Sequence, residues 1–139
     1  MLVDNDVLDV RALDPEDGRV ISARVAGPAV LLVSKLFKLG ERADTSPNRL
    51  QDKDAHDLFR ILQGTDLREL VQRYQKLLGD EVSREVATQA LGYLEVRFAS
   101  GPTAIGSMMA GRAETSVGLP DVVAQQVALL ARELLDELA

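Results

Sequence analysis

The hydrophobic period of this chain changes at Gly27-Pro28, and that change constrains the fold more than any other feature. Before it, VLDVRAL (7–13) and RVISARVA (19–26) are short β-branched runs separated by DPEDG, where Pro15 and Gly18 punctuate a turn. After it, apolar residues recur at helical spacing as far as the C-terminus. The pattern predicts a mainly α (α+β) protein: a short N-terminal β-hairpin over 1–26, followed by a bundle of five or six helices over 27–139. A two-stranded hairpin alone is marginal in water, so these strands need a helix layer or further strands to lie against.

Pro28 suits the first position of a helix, where its missing N–H costs nothing, and this first helix is expected to end near Arg42. On it Ala29, Leu32, Val33, Leu36 and Leu39 gather on one side, while Lys35, Lys38 and Arg42 form a basic stripe on the other. ADTSPN (43–48) reads as a loop, and RLQDKDAHDLFRIL (49–62) begins a second helix that stops near Gln63-Gly64. Asp66 and Glu69, at capping-box spacing, start a third helix that Gly79 ends. A fourth spans about Val82 to Phe98, with Gly92 weakening its middle. TAIGSMMAGRAE (103–114) reads either as a helix or as a loop packed close to another backbone. Pro120 opens the last helix, whose Val123, Val127, Leu130, Leu134 and Leu138 make one apolar stripe. No repeat or linker divides the helical part, which predicts one domain over 1–139.

Such a chain, 139 residues and 46% hydrophobic, can bury one core. Its net charge of −6 argues against binding a DNA duplex, which needs a clustered basic face. It has no cysteine, so a disulfide framework and a thiolate zinc site are both excluded. There is no apolar run long enough for a membrane span, and MLVDNDVLDV lacks the basic start of a signal peptide. The expectation is therefore a cytoplasmic protein with no membrane partner.

The densest charge lies in RLQDKDAHDLFRIL, which carries Asp52, Asp54, Asp57 and the only histidine, His56. On a helix the four do not converge. Asp54 borders the apolar side set by Ala55, Leu58, Ile61 and Leu62, Asp57 lies about 60° farther round, and Asp52 and His56 point toward the opposite edge. Asp52 and Asp54 also suit a helix N-terminus as plain favourable charge, and His56 reads as exposed rather than as a ligand. A short loop makes the preceding helix antiparallel, which brings Lys35, Lys38 and Arg42 toward Asp54 and Asp57. Two readings stay open: an interhelical ion pair, or a lysine contacting nucleotide phosphates beside a carboxylate of catalytic or structural use. A hydrolase or metalloenzyme built on His56 has little machinery, with one histidine and no nucleophile elbow.

The run VAGPAVLLVSKLFKLGERADTSPNRLQDKDAHDLFRIL (25–62) resembles the paired late motifs of the abortive-infection (AbiEii-like) nucleotidyltransferase toxins, a branch of the polymerase-β-type nucleotidyltransferases. There a helix with a pattern like LxxKLxAL…R precedes (R/K)DxxDLxxL. This chain supplies Lys35, Leu36, Leu39 and Arg42, then Lys53, Asp54, Asp57, Leu58 and Ile61. The resemblance implies magnesium-dependent transfer of a nucleotide to an RNA or protein acceptor. It implies Lys35, Asp54 and Asp57 as the catalytic-site residues, and Lys35, Arg42 and Lys53 as nucleotide contacts.

The family's early motifs are missing: no glycine- and serine-containing phosphate turn is present, although Asp4-Asn5-Asp6 spells Asp-x-Asp. Two carboxylates at i and i+2 on a strand share a face and can hold metals that bridge a triphosphate, but here nothing precedes them to cradle the phosphates. The chain thus resembles the later half of such a protein, with the hairpin a remnant of its sheet. That predicts inactivity in isolation and a need for magnesium only where another segment or chain completes the metal site. The alternative is a noncatalytic helical interaction or dimerisation module that uses either the stripe of the last helix or the strand edge near residues 7–12 to bind a companion chain or a second copy.

Overall fold

The computed structural model describes residues 4–139; Met1–Val3, with which the 1–26 region begins, lie outside the described residues. Two antiparallel strands, β1 (Asn5–Arg11) and β2 (Val20–Ala26), come first. Asn5 stands opposite Ala26, Asp9 opposite Ser22 and Arg11 opposite Val20. The turn between them is stitched by Asp14, whose backbone carbonyl accepts from Asp17 N–H and whose side chain accepts from Glu16 N–H. Among the described residues this two-stranded ribbon is the only sheet.

Six helices follow, so the protein is mainly α with an N-terminal hairpin, as the change of period predicts. They are α1 (Pro28–Thr45), α2 (Asp52–Gly64), α3 (Leu67–Gly79), α4 (Arg84–Leu94), α5 (Ile105–Arg112) and α6 (Pro120–Leu138). Helix α1 runs three residues past the expected Arg42, and a 3-10 turn, Pro47–Arg49, leads into α2. Asp66 caps α3 by accepting from Glu69 N–H at 3.1 Å, the capping its spacing announces. The segment left open between helix and loop is the helix α5.

The fourth helix departs from expectation at its end rather than at Gly92. A turn of π-helix, Glu95–Ala99, follows Leu94, with Ser100 N–H bonded to Glu95 O. The extra residue in that turn accompanies burial of both Phe98 and Ala99. The Phe98 carbonyl accepts from the hydroxyl of Ser107 at 3.0 Å, a buried polar group satisfied by the next helix.

One cluster of buried side chains draws on all six helices and the π turn: Leu36 and Leu39 from α1, Leu58 from α2, Tyr74 from α3, Leu94 from α4, Met109 from α5, Val127 and Leu134 from α6. Each of the larger aliphatic groups stabilises the fold by about 1.5–3 kcal/mol relative to its exposed state. The stripe of α6 belongs to this core, with Val123, Val127 and Leu134 buried and Leu130 and Leu138 packed at its margin. Tyr74 donates its hydroxyl to Ala87 O at 2.7 Å, and burial pushes the phenol pKa up. Helices α1 and α4 approach closely at Gly40, where a Cβ would come within 2.5 Å of the Tyr93 ring.

The hairpin contributes nothing to that cluster. Strand alternation and the cross-strand register place Leu8, Val10, Ile21, Ala23 and Val25 on one face, and Leu8, Val10, Ile21 and Val25 are each at least 41% exposed. Asp6 joins that face at the root, and Asn5, Val7, Asp9, Arg11, Val20, Ser22, Arg24 and Ala26 share the other, more polar face. The hairpin is amphipathic, and among the described residues no layer lies against its apolar side.

Candidate functional site

Helices α1 and α2 meet along a charged seam. Lys35 Nζ lies 2.8 Å from Asp57 Oδ2, Lys38 Nζ 2.8 Å from Asp54 Oδ1, and Arg42 Nη1 3.0 Å from Asp54 Oδ2. The basic stripe of α1 and the start of α2 are thus brought together as the antiparallel pairing requires. Asp54 is buried, and cations hold both its oxygens; its position in the first turn of α2 adds a favourable interaction with the helix dipole. Lys35, through its hydrogen bond, holds the Asp57 carboxyl below the usual carboxylate range; burial opposes this, and the charges of Lys35, Lys53 and His56 reinforce it.

Lys53, the third residue expected at a nucleotide, stands exposed on the first turns of α2 and reaches Asp57 only through its field. The expectation of an exposed His56 is corrected, for the residue is half-buried. Its Nε2 sits 2.5 Å from Glu114 Oε1 and its ring packs on Phe59, so it ties α2 to the turn after α5. Beside it Asp52 pairs with Arg112 at 3.0 Å, which makes a second link between α2 and the end of α5. These partners lie 58 and 60 residues away in sequence, and no local spacing announces them.

Asp4-Asn5-Asp6 forms a joint rather than an open pair of carboxylates. Asp4 Oδ1 lies 2.6 Å from Arg73 Nη1 on α3, and Asp6 Oδ1 lies 3.0 Å from Arg73 Nη2. Asp4 Oδ2 accepts from Val30 N–H in the first turn of α1, and Asp4 O accepts from Gly27 N–H. One buried carboxylate therefore caps α1 and anchors the hairpin root to α3. Asp4 and then Asp6 hold the Arg73 guanidinium above its usual pKa range. Gly27 makes the joint possible, since a Cβ there would fall 2.2 Å from Asp4 Oδ1. Sequence reasoning missed Arg73; its only local mark is Glu69 one turn earlier, at 3.1 Å.

This donor set does not fit magnesium. A divalent ion needs uncommitted oxygens, and Asp4, Asp6 and Asp54 each bond an arginine. Among the described residues no three His, Cys, Asp or Glu side chains converge as ligands. The seam instead neutralises carboxylates against cations while α1 packs on α2. No protein-family model, curated protein or solved structure matches this chain. Among the described residues no helix is long and apolar enough to cross a membrane.

Proposed function

We propose that this chain is the helical, C-terminal part of a nucleotidyltransferase-like protein, noncatalytic by itself, which acts by docking its hairpin on a sheet-bearing companion chain or segment in the cytoplasm. The observation that carries the reading is the uncovered apolar face of Leu8, Val10, Ile21, Ala23 and Val25, held at a fixed root by Arg73. A second sheet or helix layer would cover that face and give the two strands the support they need. The sequence pattern of Lys35, Arg42, Asp54 and Asp57 supplies the family link. In the isolated chain these groups are paired with one another, so Lys35 becomes available to a phosphate only where a companion's metal-bound nucleotide competes for it.

Calorimetry with Mg-ATP and the other Mg-nucleoside triphosphates tests the reading. The chain alone is expected to give no heat. The chain together with a domain bearing a phosphate turn and an Asp-x-Asp strand is expected to bind, with affinity lowered by Lys35→Ala. A flat response in both settings refutes the nucleotidyltransferase assignment and leaves a helical interaction module, which the internal pairing of every seam carboxylate favours.

A further inference from the structure

The apolar face is one unpartnered surface of the hairpin; the outer edge of β1 is another, at right angles to it. Among the described residues β1 pairs with β2 alone, and residues 7–11 of β1 are all exposed. Exposed edges of this kind are templates for adding a strand. Proteins usually blunt them with proline or charged side chains; no proline interrupts residues 7–13, and the two charges there, Asp9 and Arg11, are of opposite sign.

The charges of this edge are arranged as a short inverted repeat. In Leu8-Asp9-Val10-Arg11-Ala12, a twofold axis through Val10 places Asp9 of one chain directly opposite Arg11 of another, and Arg11 opposite Asp9. Val10 then faces Val10, and Leu8 faces Ala12. Directly opposed residues of antiparallel strands share a face, so both ion pairs lie on the polar side of the ribbon and the Val10 contact on the apolar side. The side chains are free to do this: among the described residues Asp9 accepts a side-chain hydrogen bond from Ser22 alone, on the β2 side, and Arg11 forms no ion pair.

Other self-pairings lack this complementarity. An axis through Leu8 sets Asp9 against Val7 and Asp6 against Val10, with no opposite charges facing. The edge of β2, VISARVA, carries Arg24 and no acid, so self-pairing there creates no ion pair. We propose that a second copy of this chain pairs with the first through the β1 edges, antiparallel about Val10, to make a four-stranded sheet. Isologous pairing of this kind is closed and stops at two. It converts a marginal two-stranded ribbon into a sheet of sufficient width, and it leaves the apolar face of both copies turned the same way. The proposal is independent of nucleotide binding, because it uses the strand edge and not the α1–α2 seam.

The buried area is smaller than that of a standard interface, so association is expected with a dissociation constant of about 1 μM to 1 mM. Sedimentation velocity of the full chain across that range is the measurement. Asp9→Arg and Arg11→Asp each set like charges opposite one another and are expected to weaken the dimer about tenfold or more. An equimolar mixture of the two variants regains opposite pairs and is expected to form a heterodimer, and the double variant Asp9→Arg/Arg11→Asp is expected to dimerise as the original chain does. Unchanged helical circular dichroism in each variant verifies that the bundle is intact. The proposal is overturned by a strict monomer throughout, by single variants that associate like the original, or by a mixture that stays monomeric.

Discussion

Leu36, Leu58, Tyr74 and Leu134 in the bundle are wholly buried, whereas Leu8, Val10 and Ile21 on the hairpin keep half or more of their surface exposed. Both regions carry apolar residues at the spacing proper to their secondary structure. The difference lies in what surrounds them. Six helices cover one another's stripes, while a ribbon of two strands has two faces and two edges and meets the bundle firmly only at its root. The comparison teaches that amphipathicity announces a surface to be covered; whether it is covered depends on neighbours elsewhere in the chain or outside it.

Truncating a core side chain should separate the two regions most sharply. Leu58→Ala removes a wholly buried group and is expected to cost about 2–5 kcal/mol in chemical denaturation, whereas Val10→Ala on the hairpin should stay within about 0.5 kcal/mol. Equal effects would mean that the hairpin face is covered in solution. Next, Asp54→Ala leaves Lys38 and Arg42 without their shared carboxylate at a largely buried position, for an expected loss of about 1–3 kcal/mol in the same experiment. Arg73→Gln tests the joint. Hydrogen exchange should quicken along residues 5–26 while the amides of α2 and α6 keep their protection, because Asp4 and Asp6 lose the ion-pair partner they share among the described residues.

The smallest effect concerns pH. The Asp57 carboxyl titrates below its ordinary range in the folded chain, so the Lys35–Asp57 pair contributes stability that is present above the unfolded carboxyl pKa and is lost as pH falls through the folded one. The contribution should be no more than about 1 kcal/mol for a pair this near the surface. Lys35→Met is expected to flatten the stability profile in that acid window and to leave it unchanged near neutrality, apart from a constant offset. An unaltered acid limb would show that the pair is not formed in solution.

The helical seam was legible from sequence because helix geometry is local: once α1 and α2 are antiparallel across a short connection, Lys35, Lys38 and Arg42 must lie near Asp54 and Asp57. The π turn after Leu94 was not legible, since an extra residue in a helix is favoured by the packing of Phe98 and Ala99 and not by any residue preference. His56 was misjudged for a similar reason, because its partner Glu114 comes from a turn far along the chain. Asp-x-Asp at the N-terminus shows the limit most clearly. As a string it suggests paired metal ligands, and in the fold it is a helix cap and an arginine clamp.

The sequence by itself determined the order of elements, the apolar stripes and the inverted charge repeat around Val10, because periodicities of 2 and 3.6 and the distribution of charge are properties of the linear chain. Only the tertiary structure decided that the α6 stripe is core while the hairpin face is left bare among the described residues, and that Arg73 fixes the hairpin where α1 begins. Those outcomes depend on contacts between residues as many as 69 positions apart, where burial and hydrogen-bond satisfaction are set by three-dimensional neighbours and leave no local mark in the string of residues.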